Sequence, residues 1–135
     1  MNQEEILTIE AKIFLNTLTK EFSERIEGLL EKRKKSAKSR PGFNYGTKDV
    51  RDEDWKVLPP PEEILDRRVE ITGPPVRKMI INALNSGANV YMSDFEDSNS
   101  PTFQNCIDGQ INLRDAVEGT IEYTNPKNGK SYSLN

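Results

Sequence analysis

The chain has 135 residues, of which 34% are hydrophobic and 30% are charged, and its formal net charge is -3. This length fits one domain of ordinary size, but the composition can build only a thin core. The slightly acidic balance does not favour nucleic acid or an anionic membrane as a partner. The composition therefore fits a piece of a larger protein, or a domain with an extended polar arm.

The sequence carries no pattern typical of membrane insertion or export. No apolar run approaches the roughly 18 residues that a membrane span needs, and the N-terminus MNQEEILTIE is acidic where a signal peptide is basic and then apolar. The single cysteine, Cys106, allows no internal disulfide and suits a reducing compartment. The absence of histidine excludes the usual serine and cysteine triads and most zinc sites. We therefore expect a soluble, cytoplasmic protein.

The N-terminal residues 1–38 have a helical pattern and are interpreted as a helical arm. Apolar residues recur at spacings of three and four from Ile6 to Leu30. Ser23 is a suitable N-cap, so the pattern predicts two helices that meet near residues 21–24. The apolar stripe of this arm needs a surface to cover, and the rest of the chain offers little.

A basic segment, EKRKKSAKSR at residues 31–40, follows the apolar stripe. It could be a nucleic-acid or localisation patch. However, cations at a helix C-terminus complement the helix dipole, and no aromatic residues alternate with the basic ones. A solvated helix end is therefore the favoured interpretation.

Residues 39–66 are rich in proline and glycine and are interpreted as an extended linker without regular structure of its own. The segment contains Pro41, Gly42 and Gly46, and then the triplet Pro59–Pro61. A short helical turn is expected just after it, at PEEILDRR.

From residue 67 onward the pattern alternates between strand and helix. RVEITGP predicts a strand over residues 69–72, PPVRKMIINALNSG a helix with Pro75 in its first turn and Gly87 after its end, and NVYMSDF a second strand. Strand, helix and strand within about 25 residues make one βαβ unit. Such a unit implies parallel pairing of the two strands and a right-handed crossover.

The remaining residues predict more helix and then a hairpin. Pro101 can open a helix through TFQNCIDG, and INLRDAVEG predicts a further short turn or helix. TIEYTNPKNGKSYSL alternates on both sides of a turn that contains Asn128 and Gly129, which predicts a β-hairpin. Residues 67–135 thus form an α/β segment that ends in a hairpin.

Three carboxylates, Asp94, Glu96 and Asp97, follow the second predicted strand in the stretch VYMSDFEDSNSP. Parallel α/β folds carry their chemistry at the C-terminal ends of strands, and the period of two would put Asp94 and Glu96 on one side. Alternatively, Asp97 or Ser98 caps the helix opened at Pro101 while Asp94 and Glu96 meet solvent. The spacing alone leaves both interpretations open.

Several motifs together carry a resemblance to a known family. The stretch DRRVEITGPPVRKMIINALNSGANVYMSDFEDSNSPTFQNCIDGQINLRDAVEGTI closely resembles the start of the catalytic barrel in malate synthases of the shorter, A-type class. Its most specific parts are EITGP, INALNSGA, DFEDS and GQINLRDAV. The upstream RDEDWKV and the helical N-terminus resemble the N-terminal arm of the same family.

The resemblance implies an α/β fold in which the arm precedes the first two β/α units of a (β/α)8 barrel, followed by a hairpin. A barrel of this kind needs about 250 residues, so the resemblance also implies that the domain is incomplete here. The family condenses acetyl-CoA with glyoxylate, hydrolyses malyl-CoA to malate and CoA in the glyoxylate bypass, and uses Mg²⁺. The catalytic base, the arginine and the residues that bind the metal directly are expected beyond Asn135, so no catalytic residue is assigned within this chain.

The resemblance also suggests roles for individual residues. The glutamate of DFEDS implies that Glu96 reaches the Mg²⁺ through water, with Asp94 as a weaker metal candidate. The strand end ITGP and the next helix resemble part of the wall of the CoA site, although ordinary helix surface is the favoured interpretation for both basic residues there. The candidate residues for CoA are Thr72, Gly73, Pro74, Arg77 and Lys78.

Three functional hypotheses follow. The first is the N-terminal portion of a malate synthase, inactive by itself, whose partners are acetyl-CoA, glyoxylate and the remaining barrel and C-terminal domain of the same protein. The second is a non-catalytic interaction module that binds a partner through the apolar helix face. The third and least favoured is a nucleic-acid binder with a basic arm.

Overall fold

The computed structural model describes residues 3–39 and 41–135. It divides into two compact units, one from Thr8–Pro59 and one from Pro60–Asn135 together with the N-terminal residues up to Leu7. Met1 and Asn2 of the predicted arm, and Arg40 of the basic segment, lie outside the described residues.

One long helix, α1, spans Ile9–Ser36. Thr8 caps it by accepting a hydrogen bond from the Ala11 amide at 3.2 Å. The prediction of two helices meeting near residues 21–24 is wrong. The Ser23 hydroxyl donates to the Thr19 carbonyl one turn earlier, at 2.6 Å, so Ser23 sits inside a continuous helix and caps nothing.

The apolar side chains of α1 are exposed to solvent, and the helix has no buried residue. They recur at helical spacing along the whole length of the helix. Among the described residues, no helix combines the length and the apolar character that crossing a membrane requires. The exposed set comprises Ile9, Ile13, Phe14, Leu15, Leu18, Phe22, Ile26, Leu29 and Leu30.

The segment after α1 contains local helical structure, which the expectation of an irregular linker missed. The Asn44 side chain accepts from the Gly46 amide at 2.9 Å and caps a 3₁₀ turn at Tyr45–Thr47. Helix α2, Lys48–Asp52, follows directly. The helical turn expected at PEEILDRR is confirmed as a 3₁₀ turn over Glu62–Ile64.

The βαβ unit is confirmed. Strand β1, Glu70–Gly73, and strand β2, Val90–Ser93, pair in parallel, with Gly73 opposite Ser93. Helix α3, Arg77–Leu84, connects them. It begins at Arg77, so the prediction of Pro75 in its first turn is wrong. Gly87, at φ +80, lies just beyond its end, where the left-handed conformation favours glycine.

A single helix, α4, spans Phe103–Val117 where two short helical segments were expected. Its cap is Thr102, whose hydroxyl accepts from the Asn105 amide at 3.2 Å, so the prediction of Asp97 or Ser98 as the cap is wrong. Gly109 suggested a break in the middle. It is instead buried, with the side chains of Phe95 and Pro75 against it.

The predicted hairpin is confirmed. Strand β3, Glu122–Thr124, pairs antiparallel with β4, Ser131–Ser133, and the turn contains Gly129 at φ +68. A small core lies between α3, α4 and the hairpin. Its buried centre is Ile80, Ile81 and Ile121, with Tyr91, Leu113, Ala116, Tyr123, Tyr132 and Leu134 packed around them.

Close packing at Gly109 predicts that adding a single methyl group there lowers the free energy of unfolding. A Cβ at this position would lie 2.7 Å from Cε1 of Phe95 and 2.9 Å from Cγ of Pro75. Overpacking typically costs about 1–3 kcal/mol, and the gain in helix propensity recovers only about 1 kcal/mol. We expect Gly109→Ala to lower the free energy of unfolding by about 1 kcal/mol, measured by urea denaturation.

Gln110→Ala is the matched control, because Gln110 is the next residue of the same helix and is exposed. This substitution should leave the unfolding free energy within about 0.5 kcal/mol of the parent. A Gly109→Ala variant as stable as the control would contradict the packing described for Gly109.

Candidate functional site

The C-terminal ends of β1 and β2 lie side by side. Gly73 pairs with Ser93, and the amide of Asp94 donates to the Gly73 carbonyl at 2.8 Å. The loop that leaves β1 and the loop that leaves β2 therefore start at one edge of the sheet. The structure thus brings the predicted CoA segment at Thr72–Pro74 next to the predicted metal loop at Asp94–Asp97.

The Asp94 carboxylate organises the loop after β2. Its Oδ1 accepts from the amides of Glu96 and Asp97 at 2.9 and 3.0 Å. Its Oδ2 accepts from the amide and the hydroxyl of Ser98 at 3.0 and 2.8 Å. These hydrogen bonds, above all the one from the Asp97 amide, hold the pKa of Asp94 below its ordinary value. Four donors thus use the hydrogen-bonding capacity of this carboxylate.

The arrangement changes two expectations about the acidic cluster. Strand β2 ends at Ser93, so the period of two does not extend to Asp94 and Glu96. Asp94 turns back onto its own loop, whereas Glu96 and Asp97 are exposed. The repulsion between the carboxylates is reduced because backbone dipoles neutralise one of them and the other two face water.

The Glu96 carboxylate is exposed at the surface of the loop. No hydrogen bond or ion pair from any residue in 3–39 or 41–135 occupies its oxygens. Within the same ranges, no three aspartate, glutamate or cysteine side chains are grouped so that they could hold a metal ion. The described residues therefore do not supply a complete set of metal ligands.

Arg77 is part of a partly buried polar network, contrary to the expectation of ordinary helix surface. Its side chain is 19% exposed and forms an ion pair with Asp115 of α4. Its Nε donates to Oδ1 of Asn112 at 2.9 Å, and a terminal nitrogen donates to the Glu122 carbonyl at 3.3 Å. Arg77 thereby joins α3 to α4 and to the hairpin.

The network continues through Asp115 towards the N-terminus. Arg114 also pairs with Asp115, at 2.9 Å, and with Glu5 at 2.8 Å. Hydrogen bonding from Arg77 is the main reason that the pKa of Asp115 lies below its ordinary value. The basic and acidic groups of GQINLRDAV are therefore engaged with one another and stabilise the fold.

Lys78, the other basic candidate, lies over the hairpin. Its Nζ is 5.0 Å from the centroid of the Tyr132 ring, a cation–π distance. The Thr72 side chain is exposed, while Gly73 is buried beneath the Tyr91 ring. The five predicted CoA residues thus divide into a strand end of which only Thr72 is fully exposed, and two basic side chains that contact α4 or the hairpin.

No family model matches the chain. A malate synthase of Myxococcus xanthus is 58% identical to it in an alignment of 136 positions, which covers 97% of this chain and 25% of that protein. A bifunctional glyoxylate cycle protein of Caenorhabditis elegans is 52% identical, over 98% of this chain and 14% of its own length. A glyoxysomal malate synthase of Gossypium hirsutum is 48% identical, over 96% of this chain and 24% of its own length.

The resemblance to malate synthases is confirmed. The chain spans about a quarter of the length of the malate synthases that it matches, 25% in one and 24% in another. This coverage is consistent with the N-terminal portion of such an enzyme.

The interior contacts of Asn112 and Asp115 with Arg77 were not predicted from the sequence. Both lie in the motif GQINLRDAV, on the part of α4 that contacts Arg77. A polar residue at a buried helix position, such as Asn112 between Ile111 and Leu113, was the available signal. Its partner could not be read from the sequence, because Arg77 lies 35 residues away.

Protonation of Asp94 should loosen the malate synthase-like DFEDS loop. Folding lowers the pKa of Asp94, so its contribution is complete at neutral pH and is lost as the pH falls from about 4 through the lowered value. We expect the amide chemical shifts of Glu96, Asp97 and Ser98 to move together in this acidic range, followed by NMR.

Asp94→Asn is the control for this titration, because it keeps the size of the side chain and removes its charge. The Ser98 amide, whose residue has no carboxylate of its own, should then lose the acidic transition. A parent transition at or above the ordinary pKa of aspartate would contradict the hydrogen-bonded loop.

Proposed function

We propose that the chain is the N-terminal portion of a malate synthase, an acyltransferase that condenses acetyl-CoA with glyoxylate and hydrolyses malyl-CoA to malate and CoA. The observation that carries the proposal is the similarity along nearly the whole chain, at 58% identity over 97% of it in one malate synthase. The activity belongs to the whole enzyme. The product, malate, would enter the tricarboxylic acid cycle through the glyoxylate bypass.

The proposed fold is the start of a (β/α)8 barrel. In its support, two parallel strands are joined by α3, and α4 follows the second strand, which is the order that two β/α units require. The candidate residues also lie at the C-terminal ends of the strands, where barrels of this type carry their active sites. The remaining strands and the C-terminal domain would come from the rest of the same protein.

Within this proposal, the chain contributes binding surface and electrostatics. Mg²⁺ would supply Lewis acidity that polarises the glyoxylate carbonyl. The exposed Glu96 carboxylate would accept hydrogen bonds from the water around the ion and so orient it. The segment Thr72–Pro74, with Lys78 near it, would line the acetyl-CoA site. Asp94 would hold the loop that presents Glu96, since its oxygens are engaged by loop donors.

The exposed apolar face of α1 supports the proposal that another part of the same protein covers this helix. Ile9, Ile13 and Phe14 are between 61% and 73% exposed, which is unfavourable for a face that stays in water. The rest of the same enzyme is the proposed cover. The same face also favours the second candidate, a non-catalytic interaction module, so activity must decide between them.

An activity assay on two lengths of protein tests the proposal. The intact protein that carries this sequence should release CoA from acetyl-CoA and glyoxylate in the presence of Mg²⁺, with free thiol measured by colorimetry. The 135-residue chain alone should release none above a buffer blank, because the base and the arginine are proposed to lie outside it. An inactive intact protein would favour the interaction module, and turnover by the short chain would contradict the proposed division of the site.

Glu96→Gln in the intact protein tests the proposed contact with the ion through water. The substitution keeps the shape and removes the charge, so the fold should persist. Losses of contacts around a metal typically weaken affinity or activity by about 10–100-fold. We expect kcat measured against Mg²⁺ concentration to show weaker metal dependence and slower turnover of this order.

Asp97→Asn is the matched control, because Asp97 is the neighbouring exposed carboxylate of the same loop. It should change the Mg²⁺ titration much less than Glu96→Gln does. If Glu96→Gln binds Mg²⁺ and turns over like the parent, then the Glu96 carboxylate does not contact the ion and is only a solvent-exposed group of the loop.

A cytoplasmic location is also proposed. The single free cysteine, Cys106, suits a reducing compartment and supports it. Malate synthases of several plants are named glyoxysomal, so a related organelle is the alternative to distinguish by fractionation.

A further inference from the structure

The loop between β1 and α3 has few backbone hydrogen-bond donors of its own. Pro74 and Pro75 have no N–H group, so their part of the loop offers mainly carbonyl acceptors. Donors from elsewhere must therefore hold it. The Tyr91 hydroxyl lies 3.0 Å from the Pro74 carbonyl and 3.3 Å from that of Gly73. Nδ2 of Asn112 donates to the Pro75 carbonyl at 2.9 Å.

The orientation of the Asn112 amide is fixed from its other end. The Asn112 residue is only 4% exposed, and its Oδ1 accepts from Nε of Arg77 at 2.9 Å. A guanidinium has no acceptor, so the amide oxygen must face Arg77 and the NH₂ group must face Pro75. Asp115, which pairs with Arg77, holds the guanidinium in place. Three side chains thus act in series on one loop carbonyl.

Helix α4 also contacts the loop that follows β2, at Gly109, about one turn before Asn112. The missing side chain at Gly109 leaves room for Phe95, which belongs to the DFEDS loop, and for Pro75 of the first loop. Gly109 and Asn112 are three residues apart and both are buried, so they lie on the same inward face of the helix. This one face therefore sets the spacing between the loops that follow β1 and β2.

We infer that Asn112 is a positioning residue, which holds the β1–α3 loop in the conformation that receives acetyl-CoA. The inference rests on the proposed function for its choice of substrate, and on the described hydrogen bonds for the positioning itself. Asn112 touches neither substrate nor metal in this account. It acts through the Pro75 carbonyl, and it depends on Arg77 and Asp115 for its own orientation.

Asn112→Asp isolates the donor function. The carboxylate has nearly the same shape and still accepts from Arg77, but it cannot donate to the Pro75 carbonyl and faces it with like partial charge. A buried acceptor that loses its donor is strongly disfavoured. In the intact protein, hydrogen exchange of the Val76 amide, which donates to the Pro74 carbonyl at 2.7 Å, should accelerate about tenfold.

Steady-state kinetics distinguish a residue that positions the acetyl-CoA loop from one that only stabilises the fold. With the loop displaced, the KM for acetyl-CoA should rise about tenfold, while kcat and the KM for glyoxylate should change by less than about twofold. Gln110→Asp is the matched control, since it adds the same charge to an exposed position of α4. It should leave exchange and both KM values unchanged.

Tyr91→Phe is the second variant, which removes only the hydroxyl that donates to Gly73 and Pro74. It should produce the same selective pattern even if Asn112→Asp folds poorly. Unchanged exchange at Val76 in both variants would overturn the positioning role. Uniform acceleration across β1 and β2, or a fall in kcat without a rise in the KM for acetyl-CoA, would also overturn it.

The parent protein distinguishes this inference from the proposed function. An intact parent without malate synthase activity overturns the proposed function before any variant is measured. An active parent whose Asn112→Asp variant keeps the KM for acetyl-CoA overturns the inference alone.

Discussion

Parallel pairing of β1 with β2 is the constraint on which the candidate site depends. Because the strands run in the same direction, both loops that leave their C-terminal ends start at one edge of the sheet. An antiparallel pair would have sent Pro74 and Asp94 to opposite ends. The amide of Asp94 also donates to the Gly73 carbonyl and extends the pairing by one step into the loop. The proximity of Thr72–Pro74 to Asp94–Asp97 follows from this geometry.

The loops themselves are held by helix α4. Its inward face presents a gap at Gly109 and a donor at Asn112, and these two features contact the loop after β2 and the loop after β1. Charged residues nearby, Arg77 and Asp115, neutralise one another and orient the Asn112 amide. The motif GQINLRDAV therefore supports the loops that follow β1 and β2.

The acidic loop shows how one cluster combines structure and exposure. Asp94 gives up its acceptors to the backbone of the following residues, which lowers its pKa and stabilises the turn. This turn leaves the Glu96 and Asp97 side chains in solvent, where water and salt screen the repulsion between their charges. The cluster is therefore divided into one carboxylate that holds the loop and two that are exposed to solvent.

The sequence by itself determined the elements whose signals are local. The alternation around Gly129, the glycine after α3 and the apolar strand runs were sufficient for the hairpin and the βαβ unit, because turn chemistry and side-chain period act within a few residues. Local signals failed at Ser23 and Gly109. In both places a residue that can end a helix lies in a continuous one, since the helix hydrogen bonds outweigh the capping alternative.

Only the tertiary structure decided which side chains meet. Arg77 was expected on a helix surface, and its ion pair with Asp115 joins residues 38 positions apart. The Asn112 amide reaches Pro75 across 37 positions. No period or spacing rule encodes such contacts, because they arise when separate helices pack and bury polar groups that must then find partners. The sequence thus determined the βαβ unit, the hairpin and the resemblance, and packing determined how the loops at the strand ends are held.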